Sequence, residues 1–103
     1  MSWMRVADEG EIKEGEGYAA TAGRRHIAIF KVKDSLYACD GICTHAHAYL
    51  AEGYVEGEQV ECPMHAGRFN VRTGKALCAP ARVDLNTFPV EIRAGGVFVD
   101  VPA

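Results

Sequence analysis

The chain has 103 residues, about half of them apolar, and a net charge of −3. This length predicts one domain with a single modest core, and apolar runs of only a few residues exclude a bilayer-spanning segment of roughly twenty. Because the start of the chain shows no signal peptide and no face of the sequence is strongly basic, we expect a soluble cytoplasmic protein that binds neither membrane nor nucleic acid.

Short strands separated by turns follow one another along the sequence. Residues 3–6 predict a weak opening strand, and the glutamates and glycines at 14–17 predict a turn. Residues 26–32 are rich in β-branched and aromatic side chains. They are followed by a turn at 33–35 and a return strand at 36–39, which predicts a hairpin.

Three more hairpins are predicted after this one, and helical periodicity is weak throughout. They join residues 54–55 to 59–62, 68–71 to 75–77, and 88–92 to 97–101. A short helical turn is expected within residues 45–51. Many short strands with frequent turns predict an all-β fold, a small antiparallel sandwich or barrel, and without an internal repeat or linker we expect one domain over residues 1–103.

Two short segments carry the chemistry of the chain. They are Cys43-Thr44-His45 and Cys62-Pro63-Met64-His65, and sixteen residues lie between His45 and Cys62. Each segment offers one thiolate and one imidazole, a ligand set that suits a soft or borderline metal. The set fits a two-iron, two-sulfide cluster in which one iron takes two cysteines and the other takes two histidines.

A zinc site is the competing interpretation of these ligands. Two cysteines and two histidines are good zinc ligands, but common zinc sites place the two cysteines together and the two histidines together. The alternating order here favours the iron–sulfur cluster. A zinc-stabilised interaction module therefore remains the alternative from a different functional class.

The sequence resembles the Rieske-type ferredoxins, in particular the small carriers of bacterial ring-hydroxylating dioxygenase systems. The resemblance rests on the two ligand segments, with Gly67 and Phe69 after the second, and on Thr73-Gly74-Lys75-Ala76-Leu77-Cys78-Ala79-Pro80. It implies one [2Fe–2S] cluster held within residues 40–82, roughly, of a small antiparallel β fold. Cys43 and Cys62 would bind the inner iron, His45 and His65 the outer iron, and the stretch around Pro80 would cover the cluster.

The resemblance also implies the function. We expect a monomeric one-electron carrier, itself without catalytic residues, that links an NAD(P)H-dependent flavoprotein ferredoxin reductase to a terminal oxygenase acting on an aromatic compound. A small Rieske subunit of another reductase, such as nitrite reductase, is the alternative within redox proteins. The acids between residues 34 and 67, six of them with no lysine or arginine, would help orient docking.

Ligand chemistry and loop composition predict a low redox potential. Two thiolates and two neutral imidazoles leave the oxidised cluster neutral, which raises its potential above that of a four-cysteine ferredoxin. Respiratory members of the family have an extra cysteine pair and a hydroxyl soon after the second histidine; here residues 66–69 contain no hydroxyl. Fewer donors to the cluster place the expected potential near the lower end of the Rieske range of about −150 to +300 mV. By resemblance, it should fall at alkaline pH.

Three further cysteine and histidine residues are expected not to be ligands. Cys39 ends a predicted strand and is expected to be a buried core residue, while Cys78 lies in the third loop. A disulfide between these two cysteines is disfavoured in the cytoplasm. His47, two residues after His45, is expected to be an exposed neighbour of the cluster.

Overall fold

The computed structural model describes residues 2–44, 48–64, 67–79 and 81–102. Eleven strands are present in this part of the chain, and they form three antiparallel sheets. The strands are β1 (Ser2–Asp8), β2 (Gly17–Ala22), β3 (Arg25–Val32), β4 (Ser35–Asp40), β5 (Tyr54–Glu56), β6 (Gln59–Glu61), β7 (Arg68–Asn70), β8 (Ala76–Cys78), β9 (Thr87–Phe88), β10 (Val90–Arg93) and β11 (Gly96–Val101).

The sheets are β1–β11–β10, β2–β3–β4–β9 and β5–β6–β7–β8, each in that strand order. Two one-turn 3-10 helices, Glu9–Glu11 and Leu50–Glu52, complete the regular structure of the described residues. No helix in this described part is long and apolar enough to cross a membrane. The all-β prediction is confirmed.

Strand β3 lies between two hydrophobic cores and explains their arrangement. Side chains alternate between the faces of a strand, so Ile27 and Ile29 pack with the valines of β11 on one face. Phe30 points the other way, into the core that also contains Cys43 and Cys62. Because both faces are buried, β3 is almost continuously apolar rather than alternating. The sheet that contains β3 is therefore the middle layer, with the cysteine loops on one side of it.

The hairpins predicted from the sequence are all present. β3 pairs with β4, β5 with β6, β7 with β8 and β10 with β11. The sequence did not predict β2, because its alanine-rich composition carries little strand propensity; β2 forms because it pairs with β3 over its full length. Within the predicted helical region, a 3-10 turn occupies Leu50–Glu52, while residues 45–47 lie outside the described residues.

The two ends of the described chain meet in one sheet. β1 pairs antiparallel with β11 from Ser2 opposite Val101 to Asp8 opposite Gly96. This pairing places the chain ends on the layer that packs against the face of the middle sheet opposite the cysteine loops. The cysteine loops therefore form the other end of the molecule's layered arrangement.

Candidate iron–sulfur centre

The two ligand segments occupy two loops, each closed at its base by a backbone hydrogen bond. In the first loop the amide of Cys43 donates to the carbonyl of Ala48 over 2.9 Å, and in the second the amide of Cys62 donates to the carbonyl of Gly67 over 2.7 Å. Both bonds run from a cysteine to a carbonyl five residues later. Along the sequence, the first loop contains Cys43 with His45 and His47, and the second contains Cys62 with His65.

Paired strands or bridges hold the base of each loop. The second loop joins β6 to β7, with Glu61 opposite Arg68 at its base. The first follows β4, where an isolated bridge pairs Ile42 with Tyr49 and the amide of Leu50 donates to the carbonyl of Gly41 over 2.9 Å. Both cysteines are thus placed by backbone pairing on either side, which fixes their positions before any metal binds.

The two cysteine side chains meet in the core and have the chemistry that iron requires. Cys43 is 4% exposed and Cys62 1% exposed, and both belong to one cluster of buried residues. Burial raises the pKa of the Cys62 thiol to about 11, opposed by a hydrogen bond from the backbone of Met64 and reinforced by the neighbouring Cys43 thiol. Without metal the Cys62 thiol is therefore neutral at pH 7, and iron binding would replace its proton. Adjacent, shielded thiols fit the inner iron of a mixed-ligand cluster.

The two predicted histidine ligands, His45 and His65, lie outside the described residues, as does His47. Their position along the sequence is nevertheless informative. His45 falls inside the loop closed by Cys43 and Ala48, and His65 falls inside the loop closed by Cys62 and Gly67. The predicted assignment of these histidines as ligands stays a prediction.

A third segment, residues 81–86, covers the cysteine pair. Its Ala81 and Leu85 are 5% and 4% exposed and belong to the same buried cluster as Cys43 and Cys62. The hydroxyl of Thr44 donates to the carbonyl of Val83 over 2.6 Å, which joins this segment to the first loop. The predicted covering role of the stretch around Pro80 therefore has support from its described part, although Pro80 itself is outside the description.

Two glycine contacts show how tightly this third segment is packed. Gly74 has a φ of +80°, and a Cβ atom there would lie 2.3 Å from the carbonyl oxygen of Leu85. The amide of Leu85 also donates to the Gly74 carbonyl over 2.7 Å. Only glycine accommodates both this backbone conformation and this approach.

Of the two remaining cysteines, Cys39 is buried as predicted, and the expectation that neither is a ligand stays a prediction. Cys39 is fully buried in the core, and burial together with Asp40 raises its pKa to about 12. Cys78 is exposed at the end of β8 rather than packed into the core. Neither Cys39 nor Cys78 is part of a disulfide.

Three arginines from outside the acidic stretch between residues 34 and 67 pair with four of its six acids. Arg68 approaches Glu61 at 3.0 Å and Glu56 at 3.9 Å. Arg72 pairs with Glu58 at 3.8 Å, and Arg25 pairs with Asp40 at 3.5 Å. Exposed pairs add little stability, but they cancel the local negative charge. The sequence alone could not show which arginines the fold brings near these acids.

Apolar side chains are exposed on the loops that hold and cover the cysteines. Val83 on the third segment is 63% exposed, and Met64 on the second loop is 46% exposed. Tyr49, which follows the first loop, is 41% exposed and meets the His26 ring edge-on with 5.6 Å between centroids. Exposed apolar residues on three adjoining segments provide a contact surface of the kind used in protein association.

Two paired-cysteine loops on a layered antiparallel β scaffold define a small iron–sulfur protein of the mixed cysteine–histidine class. The family model of the Rieske [2Fe-2S] domain matches residues 2–89. The chain is 40% identical over 101 residues to the ferredoxin component of the naphthalene 1,2-dioxygenase system of Pseudomonas putida, covering 98% of this chain and 97% of the relative. The chain therefore belongs to the Rieske [2Fe–2S] family.

Solved structures agree with this family membership. A ferredoxin of Sphingomonas yanoikuyae B1 superposes with a TM-score of 0.92 at 33% identity, over 98% of this chain and all of that one. A second match, from a complex of reduced oxygenase and oxidised ferredoxin in carbazole 1,9a-dioxygenase, has a TM-score of 0.87 at 37% identity, over 94% of this chain and 91% of that one. The predicted fold and the predicted Rieske-type [2Fe–2S] cofactor are confirmed.

The family also decides between the functional classes that the sequence left open. The chain is an electron-transfer ferredoxin and not itself a catalyst, as its relatives are ferredoxin components of dioxygenase systems. The zinc module and the subunit of another reductase are not favoured. Sequence reasoning missed the residues that fasten the third segment, Thr44, Gly74 and Asp40, because their partners are distant in sequence.

Proposed function

We propose that this protein carries single electrons from an NAD(P)H-dependent flavoprotein reductase to the Rieske cluster of a terminal oxygenase that acts on an aromatic compound. The observation that carries the proposal is the pair of closed loops whose buried cysteines meet, in a chain similar over nearly its whole length to dioxygenase ferredoxins. Each cycle would take one electron from the reduced reductase and give one to the oxidised oxygenase. The protein would return to its oxidised state unchanged.

The ligand assignment is part of this proposal. Cys43 and Cys62 would hold one iron through their sulfur atoms, and His45 and His65 would hold the other through ring nitrogens. Support comes from the meeting of the two thiols in the core and from the positions of His45 and His65 along the sequence, each between the two residues that close a loop. When bound, the cluster supplies one-electron redox chemistry at a site that needs little rearrangement. The chain's own contribution is to hold the ligands rigidly and to exclude water with residues 81–86.

The surface around the loops is where we propose that partners dock. Arginines from outside the acidic stretch offset part of its negative charge, and Met64 and Val83 offer apolar contact area beside the ligand loops. Apolar contacts at the centre of an interface contribute most of its binding energy. A relative has been solved in a complex of oxygenase and ferredoxin, and an oxygenase is accordingly one of the two proposed partners. The reductase would use the same loops.

We further propose a soluble, monomeric, single-domain carrier in the cytoplasm, with its cluster-binding part at roughly residues 40–82. The absence of disulfides among the four cysteines, all of them described residues, suits a reducing compartment. The three sheets share continuous cores through β3, which supports treating the chain as one domain. Size-exclusion chromatography of the pure iron-loaded protein would test the monomer directly, and elution at the volume of a dimer would refute it.

Reconstitution tests the function. The pure protein alone should oxidise no aromatic substrate, and oxygenase turnover with reductase and NAD(P)H should require its addition. Val83→Lys should lower the electron-transfer rate by about tenfold, since a lysine in an apolar contact weakens binding of the partner by about this factor. The visible spectrum of the variant should stay unchanged. Ile92→Lys, at an exposed apolar position on β10, is the matched control and should transfer electrons normally. Equal losses in both variants would refute docking at the loops, and full turnover without the ferredoxin would refute the role.

A further inference from the structure

A second fastening of the covering segment lies at its base, where residue 40 meets residue 86. The amide of Asp40 donates to the carbonyl of Asn86 over 3.0 Å, and the amide of Asn86 donates to the carboxylate Oδ2 of Asp40 over 2.8 Å. These reciprocal bonds continue the pairing of β4 with β9, in which Cys39 lies opposite Thr87. The carboxylate thus replaces the backbone acceptor that the next ladder position would supply.

Asp40 lies where the first ligand loop and the covering segment meet. Asp40 is the last residue of β4, three residues before Cys43, and Asn86 is the last residue of the covering segment before β9. The Asp40–Asn86 pair therefore joins the base of the first ligand loop to the base of the segment that covers both cysteines. Near the middle of the same segment, the hydroxyl of Thr44 donates to the carbonyl of Val83.

A neighbouring arginine completes the arrangement. Arg25 lies 3.5 Å from the second carboxylate oxygen of Asp40, and its guanidinium carbon lies 5.3 Å from the centre of the Phe88 ring in β9. Arg25 thereby lies against both strands that the Asp40–Asn86 pair connects. Its contact with Asp40 is loose, and its side chain is 38% exposed, so the directed hydrogen bond to Asn86 is the stronger constraint.

We propose that Asp40 is a positioning residue, which acts as a clasp that keeps residues 81–86 closed over the two cysteines and so limits access of water and chelators to the cluster. Its acceptor oxygen, rather than its charge, performs this role, because the Asn86 amide needs a partner at one place. Opening of the segment would expose Ala81 and Leu85, which are otherwise buried with the cysteines. The chelator readout rests on the ligand assignment proposed above, whereas the exchange readout does not.

Four variants separate acceptor, charge and position. Asp40→Ala removes the acceptor, Asp40→Asn keeps an acceptor oxygen without charge, and Asp40→Glu keeps the charge but displaces the acceptor by one methylene. Asp34→Asn, at the turn before β4 with a φ of +69° that asparagine tolerates, makes the same charge change at the opposite end of that strand.

Hydrogen exchange followed by mass spectrometry on the iron-loaded proteins measures the opening of residues 81–86. The exchange rate of the central strand, residues 27–32, serves as the internal reference. Losing a bond to a charged acceptor should speed exchange of residues 81–86 about tenfold or more in Asp40→Ala, with residues 27–32 changed less than twofold. Asp40→Asn should stay within about threefold of wild type, and Asp40→Glu should fall between the asparagine and alanine variants. Asp34→Asn should match wild type.

Bleaching of the visible absorption by an iron chelator gives a second, independent rate, and it should follow the same order. The clasp is refuted if exchange of residues 81–86 does not change in Asp40→Ala, or rises equally in residues 27–32. It is also refuted if Asp40→Glu exchanges more slowly than Asp40→Asn, since charge would then be the cause. Should Asp40→Ala not fold, the glutamate and asparagine variants decide alone. None of these results bears on electron delivery, which the reconstitution experiment tests separately.

Discussion

Replacing Gly74 by alanine should expose the cysteine site, although Gly74 is not itself a predicted ligand. At a φ of +80° an alanine costs about 1–2 kcal/mol that glycine does not. Its Cβ would also lie 2.3 Å from the Leu85 carbonyl oxygen, much closer than a normal contact, so the covering segment must move by about an ångström. That displacement breaks the hydrogen bond from the Leu85 amide to the Gly74 carbonyl, worth about 1 kcal/mol.

Gly95→Ala is a matched control, because it isolates the contact from the backbone strain. Gly95 has the same φ of +80°, in the turn between β10 and β11, and a Cβ there would meet nothing within 4 Å. Backbone strain should lower the stability of both variants by about 1–2 kcal/mol, and only Gly74→Ala should lose about 1 kcal/mol more. For a domain of this size each kcal/mol lowers the melting temperature by about 4–8 °C.

Thermal unfolding followed by circular dichroism gives the two stabilities, and chelator-driven loss of visible absorption gives access to the cluster. We expect Gly74→Ala to melt below Gly95→Ala and to lose its iron several-fold faster, while Gly95→Ala keeps the wild-type rate of loss. If the two variants melt together and lose iron at one rate, the contact between Gly74 and Leu85 does not hold the covering segment closed. Faster loss in Gly95→Ala would likewise contradict the reasoning.

Three other outcomes are expected. Cys43→Ala and Cys62→Ala should purify without colour, whereas Cys39→Ala should retain the reduced-state electron paramagnetic resonance signal. Burial raises the pKa of Cys39 from 9.0 to about 12 in the folded state, so the stability that this thiol contributes is present below pH 9 and is lost as pH rises toward 12. In urea unfolding, the stability of Cys39→Ala should therefore decline less steeply at alkaline pH than that of the wild type. Identical declines would contradict this. The midpoint potential should lie near the lower end of the Rieske range, about −150 mV. The Thr44 hydroxyl donates its one proton to the Val83 carbonyl, so it does not act as a hydrogen-bond donor to the cluster. A redox titration that gives a potential well above zero would refute this expectation.

The ligand segments and most strands could be predicted from the sequence because their signals are local. The histidines that follow Cys43 and Cys62 indicate the role of these cysteines, and β-branched side chains predict strands β3 and β11. The pairing of Asp40 with Asn86 could not be predicted, because the two residues are 46 positions apart and neither has an unusual neighbour. Strand β2 likewise depends on its partner β3 rather than on its own residues.

The pairing of the acids could not be predicted, for a related physical reason. Electrostatic character depends on distances in space, and the arginines that neutralise Glu58 and Glu61 follow the acidic stretch in sequence but face it across the β6–β7 hairpin. A run of acids read along one dimension therefore overstates the field that a partner would meet. The apolar loop residues, by contrast, gave no signal because exposure of Val83 or Met64 depends on the fold alone.

The pairing of β1 with β11 has a consequence for how the protein is made. Ser2 cannot reach Val101 until the segment between them has left the ribosome, so this outer sheet can form only after the hairpins within that segment have been synthesised. Sequence-distant pairing of this kind slows folding, typically to milliseconds or seconds. The hairpins that carry the ligand loops are local and become available earlier, so during synthesis the cysteines can be arranged before the sheet joining the two ends of the chain is complete.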